Sequence, residues 1–352
     1  MSDVSKSPPA LGRWPVLHDG FRGVLRFVYN DLFRIVCAAD MSDELRERVE
    51  SSGNVDAVFN ANIGRLDLGS IYGASGLTGD VARQLMFCAR HPWDLAKIRT
   101  DKNRGFLRLR NLIVGDVGVL SDSYFDGLPK HLKPLFFKDG DLWMDKAIVP
   151  DLRNVAHRST ARVHLSIVKA HNDLVDARPA RNLGDQERRA VFHAHRATMV
   201  RRFQTYMQEF VLPEVCNSEI FAWSVRNNAP IYRDLVARHG QHVLPLEGAF
   251  ALWFVSQSGP YTLAELDRNA PIRDWQYALP TAHALICDIS ERFGVDLQNN
   301  AAQLGERSGD IDLSDYFALE ASGAGKTGTL GPLASLLLAE TVLPALTCST
   351  GH

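Results

Sequence analysis

The sequence predicts a mainly α-helical protein with little strand, and three observations predict it. From Asp151 to Asp176, small or apolar residues recur at Val155, Ser159, Val163, Ile167, Ala170 and Leu174. Steps of three and four place these on one face of a helix, a face that must be buried. A second periodic run, Phe192, Arg196, Met199, Phe203, Met207 and Phe210, predicts a long helix entered near Asp185 and stopped by Pro213. The alternation that marks strands is scarce elsewhere. Further helices are expected at about 228–239, 245–258, 280–294 and 331–343.

Taken in order, residues 1–20 are rich in Pro, Ser and Gly and read as a surface arm. Between Phe21 and Ala38 the residues Val24, Phe27, Val28, Leu32, Ile35 and Val36 keep helical spacing, with Asn30 and Asp31 set among them. That combination describes a buried helix carrying two polar side chains. Residues 62–73 alternate and then break at glycines, so an extended loop is expected there. Residues 102–140, with Gly, Pro and Asp-Gly pairs, predict irregular chain or a small hairpin. No repeat and no linker is evident, which gives a single α domain over 21–346 and a short tail at 347–352.

Composition narrows the function classes. The 352 residues are 45% hydrophobic, enough for a sizeable core, and 39 Lys+Arg balance 41 Asp+Glu. Near-zero charge excludes the electrostatic footprint of a nucleic-acid or anionic-membrane binder, and pairs such as Arg188-Arg189 read as solvated helix faces. The five cysteines are scattered without a CxxC spacing, which points to a reduced compartment. No apolar run reaches membrane-spanning length, and Leu330–Leu346 is interrupted by Pro332, Glu340 and Pro344. A soluble, cytoplasmic protein with a buried C-terminal helix is the expectation.

The polar residues of the first long helix are Arg153, His157, His164 and His171, the histidines seven apart and about 10 Å from one to the next. They are too distant to share one ion, and hydrogen-bonded core histidines are the plain reading. His193 and His195 fall on different sides of their helix, which is wrong for joint ligation. Ser322–Gly328 suggests a phosphate loop, yet Glu320 stands where the first glycine is required.

Arg153, His164 and His171-Asn172, at the spacing R-x10-H-x6-HN, resemble the animal-type haem peroxidase and cyclooxygenase superfamily, especially its compact bacterial members. Leu66–Gly73 is similar to that family's LDLDSVYG loop, and Asp126–Pro129 to a segment before the distal arginine. Gly331–Thr341 is similar to its C-terminal GxxxSRIVAET helix, so that the likeness covers roughly residues 20–343. The resemblance implies the family's single-domain helical fold and oxidoreductase ancestry. It also implies a haem box, in which a proximal histidine holds iron while a distal histidine and arginine break a peroxide bond.

Set against the family's GQFxDHD motif, Leu25–Asp31 puts Asn30 at the distal histidine, Arg26 at the glutamine and Tyr29 at the preceding aspartate. Set against PxEFxxAAYRFGHSM, Pro245–Gly259 puts Gln257 at the iron ligand and Phe254 at the neighbouring arginine. An asparagine cannot relay a proton, and an amide oxygen is a poor axial ligand. For calcium, the resemblance offers Asp31 and Asp67, while the second loop aspartate is Gly69.

Three readings stay open at this stage. In one, a divergent enzyme uses the former haem cavity on a small organic substrate, with Arg153 as anion clamp and Tyr29, Asn30 and Gln257 as orienting groups. In a second, haem binds with an unusual ligand such as His239 or His242, against Arg153, Arg26, Trp253 and Phe254. In the third, the protein is a haem-free pseudoenzyme or binding protein, its cavity filled by Phe27, Tyr29, Trp253 and Phe254.

Overall fold

A computed structural model describes residues 21–33, 35–37, 58–60, 65–73, 96–98, 100–101, 103–108, 137–177, 183–239, 246–257, 279–297, 311–323 and 330–347. The elements open with α1 (Arg22–Leu32), β1 (Ile35–Cys37), β2 (Val58–Asn60), α2 (Gly69–Tyr72), β3 (Phe137–Lys138) and β4 (Asp141–Leu142). There follow α3 (Arg153–Ala156), α4 (Arg158–Asp176), α5 (Asp185–Tyr206), a π-helical turn (Met207–Val211) and α6 (Leu212–Val215). The remaining helices are α7 (Ser218–Arg226), α8 (Pro230–His239), α9 (Leu246–Gln257), α10 (Ala282–Phe293), α11 (Leu313–Gly323) and α12 (Pro332–Thr347). The mainly α expectation therefore holds. Among the described residues, no helix is long and apolar enough to cross a membrane.

The chain divides into two compact units, Met1–Asp31 with Asp67–Phe203, and Leu32–Leu66 with Gln204–His352. In the first, Val24, Leu25, Phe27 and Val28 bury the inner face of α1, and Phe27 meets Phe203 edge-on with ring centroids 5.5 Å apart. Gly23 lets α1 approach α4 backbone to backbone, because a Cβ there would lie 2.8 Å from Ser159 Cβ. On α4 the buried residues are Thr160, Val163, His164, Ile167, Val168, His171 and Val175. Of the expected apolar face only Val163 and Ile167 are buried; Val155, Ser159, Ala170 and Leu174 are half-buried, and the buried face is rotated toward Thr160, His164, Val168, His171 and Val175, with two of the three histidines on it.

The long helix expected over 151–176 is divided. His157 adopts an extended conformation (φ −124°, ψ 137°), ends α3 and begins α4 without a side-chain cap. His157 is consequently exposed and leaves the stripe it was expected to share with His164 and His171. Residues 69–72, expected as extended loop, form the helical turn α2, which is nucleated by carboxylates described below. At the end of the 102–140 stretch, expected as irregular chain or a small hairpin, β3–β4 turns through Asp139 and Gly140, and residues 109–136 of that stretch lie outside the described residues.

In the second unit, α12 is the hub. Nearly every residue from Gly331 to Leu346 is buried, and the helix packs against α7, α8, α9 and α11. Two carboxylates close helix N-termini here, meeting amides that have no partner within their own helices. Glu320 accepts from Leu333 N (3.0 Å) and Ala334 N (3.3 Å) at the start of α12, and Glu340 accepts from Ile231 N (2.9 Å) at the start of α8. A side chain at Gly331 would collide with Glu320, whose Cβ would stand 2.2 Å away. Trp253 and Phe254 of α9 are buried in an aromatic cluster with Phe250, and Phe254 meets Phe317 of α11 with centroids 5.5 Å apart.

Two further expectations need correction. The helix that begins at Asp185 is not stopped by Pro213, because a π turn intervenes and the helical backbone runs on through Pro213 in α6. The wider π turn also advances the inward position from 210 to 211, so that Val211 is buried and Phe210 is 46% exposed. The helix expected over 21–38 ends at Leu32, and Ile35 and Val36 pair instead with Asn60 and Phe59 in an antiparallel ribbon. Helices α7 and α11 were not anticipated, although Asn217, whose Oδ1 accepts from Glu219 N and Ile220 N, is a clear N-cap.

Candidate functional site

Arg153 is the side chain shared by the divergent-enzyme and haem-binding readings. Asp151 folds an Asx turn onto it, with Oδ1 accepting from Arg153 N at 2.9 Å. The same carboxylate then takes the guanidinium, accepting from Nε at 3.0 Å and from Nη2 at 2.6 Å. Nη2 also donates to the main-chain oxygen of Asn30 at 2.7 Å, tying α3 to α1. Burial opposes this charge, but the hydrogen bonds and charge of Asp151, helped by Tyr29 and Asp31, hold the guanidinium above its ordinary range. Tyr29 is its neighbour on α1. Burial pushes the Tyr29 phenol up, the Arg153 charge offsetting only part of this, so the group is a neutral hydroxyl at physiological pH.

Asn30 is buried at 3% exposure, and its amide is spent within the same unit. Nδ2 donates to Asn154 Oδ1 at 3.0 Å. Asn154, fully buried, reaches Ser70 O at 3.4 Å and His164 Nδ1 at 3.3 Å through its own Nδ2. His164 Nδ1 is therefore an acceptor. Burial drives this imidazole down to about 3, against an opposing pull from Asp151, so it is neutral throughout the physiological range. Asn30–Asn154–His164 is a chain of neutral groups joining α1, α3 and α4.

A second network surrounds α2. The two oxygens of Asp31 accept from Leu68 N (2.9 Å) and Ser70 N (2.8 Å), while Leu68 takes a left-handed conformation (φ 59°). Asp67 accepts from Gly69 N (2.8 Å) and from Arg196 Nη2 (3.1 Å). Burial foremost, then the nearby charge of Asp67, raises Asp31 to about 7, against hydrogen bonds from Ser70 and Leu68. Arg196 lies over the Tyr72 ring at 5.4 Å, and Tyr72 OH meets His171 Nδ1 at 3.0 Å. His171 Nε2 donates to Ala96 O at 3.0 Å, which fixes Nδ1 as the acceptor for the tyrosine hydroxyl. Burial lowers His171 to about 4, the His195 charge acting in the same direction and the Ala96 hydrogen bond against it. Asn172 completes the frame by pairing with both main-chain groups of Ile98, at 2.8 and 2.9 Å.

The structure thus brings together Tyr29, Asn30, Asp31, Asp67 and Arg153 in the first unit. Arg26, half-buried on α1, acts on His157, where burial first and the Arg26 charge second lower the imidazole. Gln257 ends α9 in the second unit, with Trp253 and Phe254 on the same helix; its side chain, the side chain of His239 and all of His242 lie outside the described residues. Sequence reasoning missed Asp151, Asn154, Tyr72 and Arg196. Asp151 was visible as an Asx-turn residue two before Arg153, and Arg196 as a cation inside an apolar repeat.

Among the described residues, the groups that the resemblance offers to peroxide and to calcium are engaged with protein partners. A peroxide-breaking box needs a distal proton carrier and an available arginine, whereas Asn30 carries no mobile proton and Arg153 is clasped by Asp151. A hard cation needs six to eight oxygen ligands, whereas Asp31 and Asp67 face main-chain amides and a guanidinium. Among the described residues, no group of three or more His, Cys, Asp or Glu is placed to hold a metal. No family model, curated protein or solved structure matches the chain.

Proposed function

We propose that this chain is a haem-free protein on a scaffold resembling the animal-type haem peroxidases, in which the former reaction region serves as structural frame and the protein acts by binding rather than by peroxide chemistry. One observation carries the reading: Arg153 is held by Asp151 and by Asn30 O, while the Asn30 amide is held by Asn154. Groups that once had to be free for a substrate are engaged with each other. The neutral His164 and His171, each hydrogen-bonded, fit the same role.

The test is spectroscopic. Protein produced with ample haem supply, or titrated with hemin, is expected to lack an intense Soret band and to oxidise guaiacol with hydrogen peroxide no faster than a buffer–hemin control. One haem bound per chain, with turnover abolished in Arg153→Ala, would overturn the proposal.

A second reading is favoured by one feature. The Arg153 side chain is 37% exposed, so a small organic anion has a path to the guanidinium if it displaces Asp151. Under that reading Arg153 is the anion clamp of a divergent enzyme, with the neutral Tyr29 hydroxyl beside it. Asp151→Asn, which weakens the clasp but keeps the shape, would raise the affinity for small carboxylates if this is so. Unchanged affinity leaves the structural reading in place.

A further inference from the structure

Among the described residues outside the frame around Arg153, a nucleophilic side chain is paired with a base. On α10 the sulfur of Cys287 lies 3.7 Å from His283 Nε2, four residues earlier and on the same helix face. Cys287 is partly exposed and His283 is exposed, so reagents in solution can reach the pair. Cys216 provides the internal contrast: it is buried, its thiol points to Ser335 O at 3.9 Å, and burial pushes the thiol up. Of the two cysteines whose side chains are described, Cys216 is sealed in apolar surroundings, while Cys287 has an imidazole within reach.

We propose that Cys287 is a site of covalent modification by soft carbon electrophiles, with His283 as the base that activates it. A thiol reacts as its thiolate, and a neighbouring imidazole supplies that form by accepting the proton. In the step, the Cys287 S–H proton passes to His283 Nε2 and the sulfur electron pair forms a bond to carbon. For an alkyl halide the carbon–halogen bond breaks and halide departs with the bonding pair. The other charged groups near the pair are engaged elsewhere: on α10, Asp288 pairs with Arg292 at 2.9 Å, and from α8, Asp234 takes both Arg292 and Arg238. Glu291 is the remaining ionisable group on this stretch of α10. The imidazole is the group that the geometry puts against the sulfur.

The probe is iodoacetamide on the intact folded chain, with alkylation at each cysteine followed by peptide mass spectrometry. Cys287 is expected to be labelled well before Cys216, and Cys287→Ser to lose that label. His283→Gln keeps a polar group on an exposed site but removes the base. It is expected to slow labelling of Cys287 about fivefold or more at pH 7, a difference that vanishes near pH 10, where hydroxide in solution replaces the histidine as base. Equal rates at pH 7 would overturn the proposal. A deficit of the same size at pH 10 would overturn it too, since the histidine would then act only through packing or access.

Discussion

Replacing Asn154 by alanine is the sharpest probe of whether the region around Arg153 is frame or functional site. The side chain is fully buried and holds three partners: Asn30 Nδ2 at 3.0 Å, His164 Nδ1 at 3.3 Å and Ser70 O at 3.4 Å. A neutral hydrogen bond contributes about 1 kcal/mol net, and each buried group stripped of a partner costs roughly 1–3 kcal/mol. Two of the three contacts are long, so the lower half of that range applies. Asn154→Ala should then cost about 2–4 kcal/mol, and Asn154→Leu, which fills the space without restoring a bond, about the same. The assay is urea unfolding at pH 7 followed by circular dichroism, comparing midpoints at constant slope. Asn30→Ala supplies a double-mutant cycle, in which residues in direct contact should couple by about 1 kcal/mol. A site retained for function at the expense of stability would respond in the opposite sense. A loss below about 1 kcal/mol for Asn154→Ala, or strict additivity with Asn30→Ala, would refute the structural account.

Two more outcomes follow from close approaches and buried charge. Gly23→Ala gains at most about 1 kcal/mol of helix propensity, but its Cβ meets Ser159 at 2.8 Å, and such overpacking costs roughly 1–3 kcal/mol. The variant should melt below the parent, and Ser159→Gly should not rescue it, since the Ser159 backbone carbon and oxygen stay 3.0 and 3.1 Å from the added Cβ; melting at or above the parent would sink the close-approach argument. Glu320 is raised to about 7 from its ordinary 4.5, by burial first, against hydrogen bonds from Leu333, Ala334 and Tyr316. Since the folded state holds the proton more tightly than the unfolded chain, this group's contribution is full below pH 4.5 and is lost as the pH rises through 7. The loss amounts to about 3 kcal/mol. Glu320→Gln should flatten the fall in melting temperature between pH 5 and pH 8, and an unchanged profile would count against it.

The sequence by itself determined the helical class, because burial of a continuous stripe imposes a period of 3.6 that composition cannot hide. It placed the strong helices α4, α5 and α12, singled out Arg153, Asn30 and Asp31, and read His164 and His171 as hydrogen-bonded core groups. Local chemistry that lacks such a period was read less well. The break at His157, the π turn after Tyr206 and the turn α2 each depend on where a few amides find acceptors, and for α2 those acceptors are 37 and 39 residues away at Asp31.

What only the tertiary structure decided is what Arg153 and Asn30 touch. Periodicity reports which face of a helix is apolar, not which polar group on another helix lies within 3 Å. The clasp of Asp151 on Arg153 and the Asn30–Asn154–His164 chain exist because α1, α3 and α4 converge, bringing together residues 124 apart in the chain. Hydrogen bonding is short-ranged and directional, so the same arginine can be a substrate clamp or a structural tie according to neighbours that the linear sequence does not place beside it.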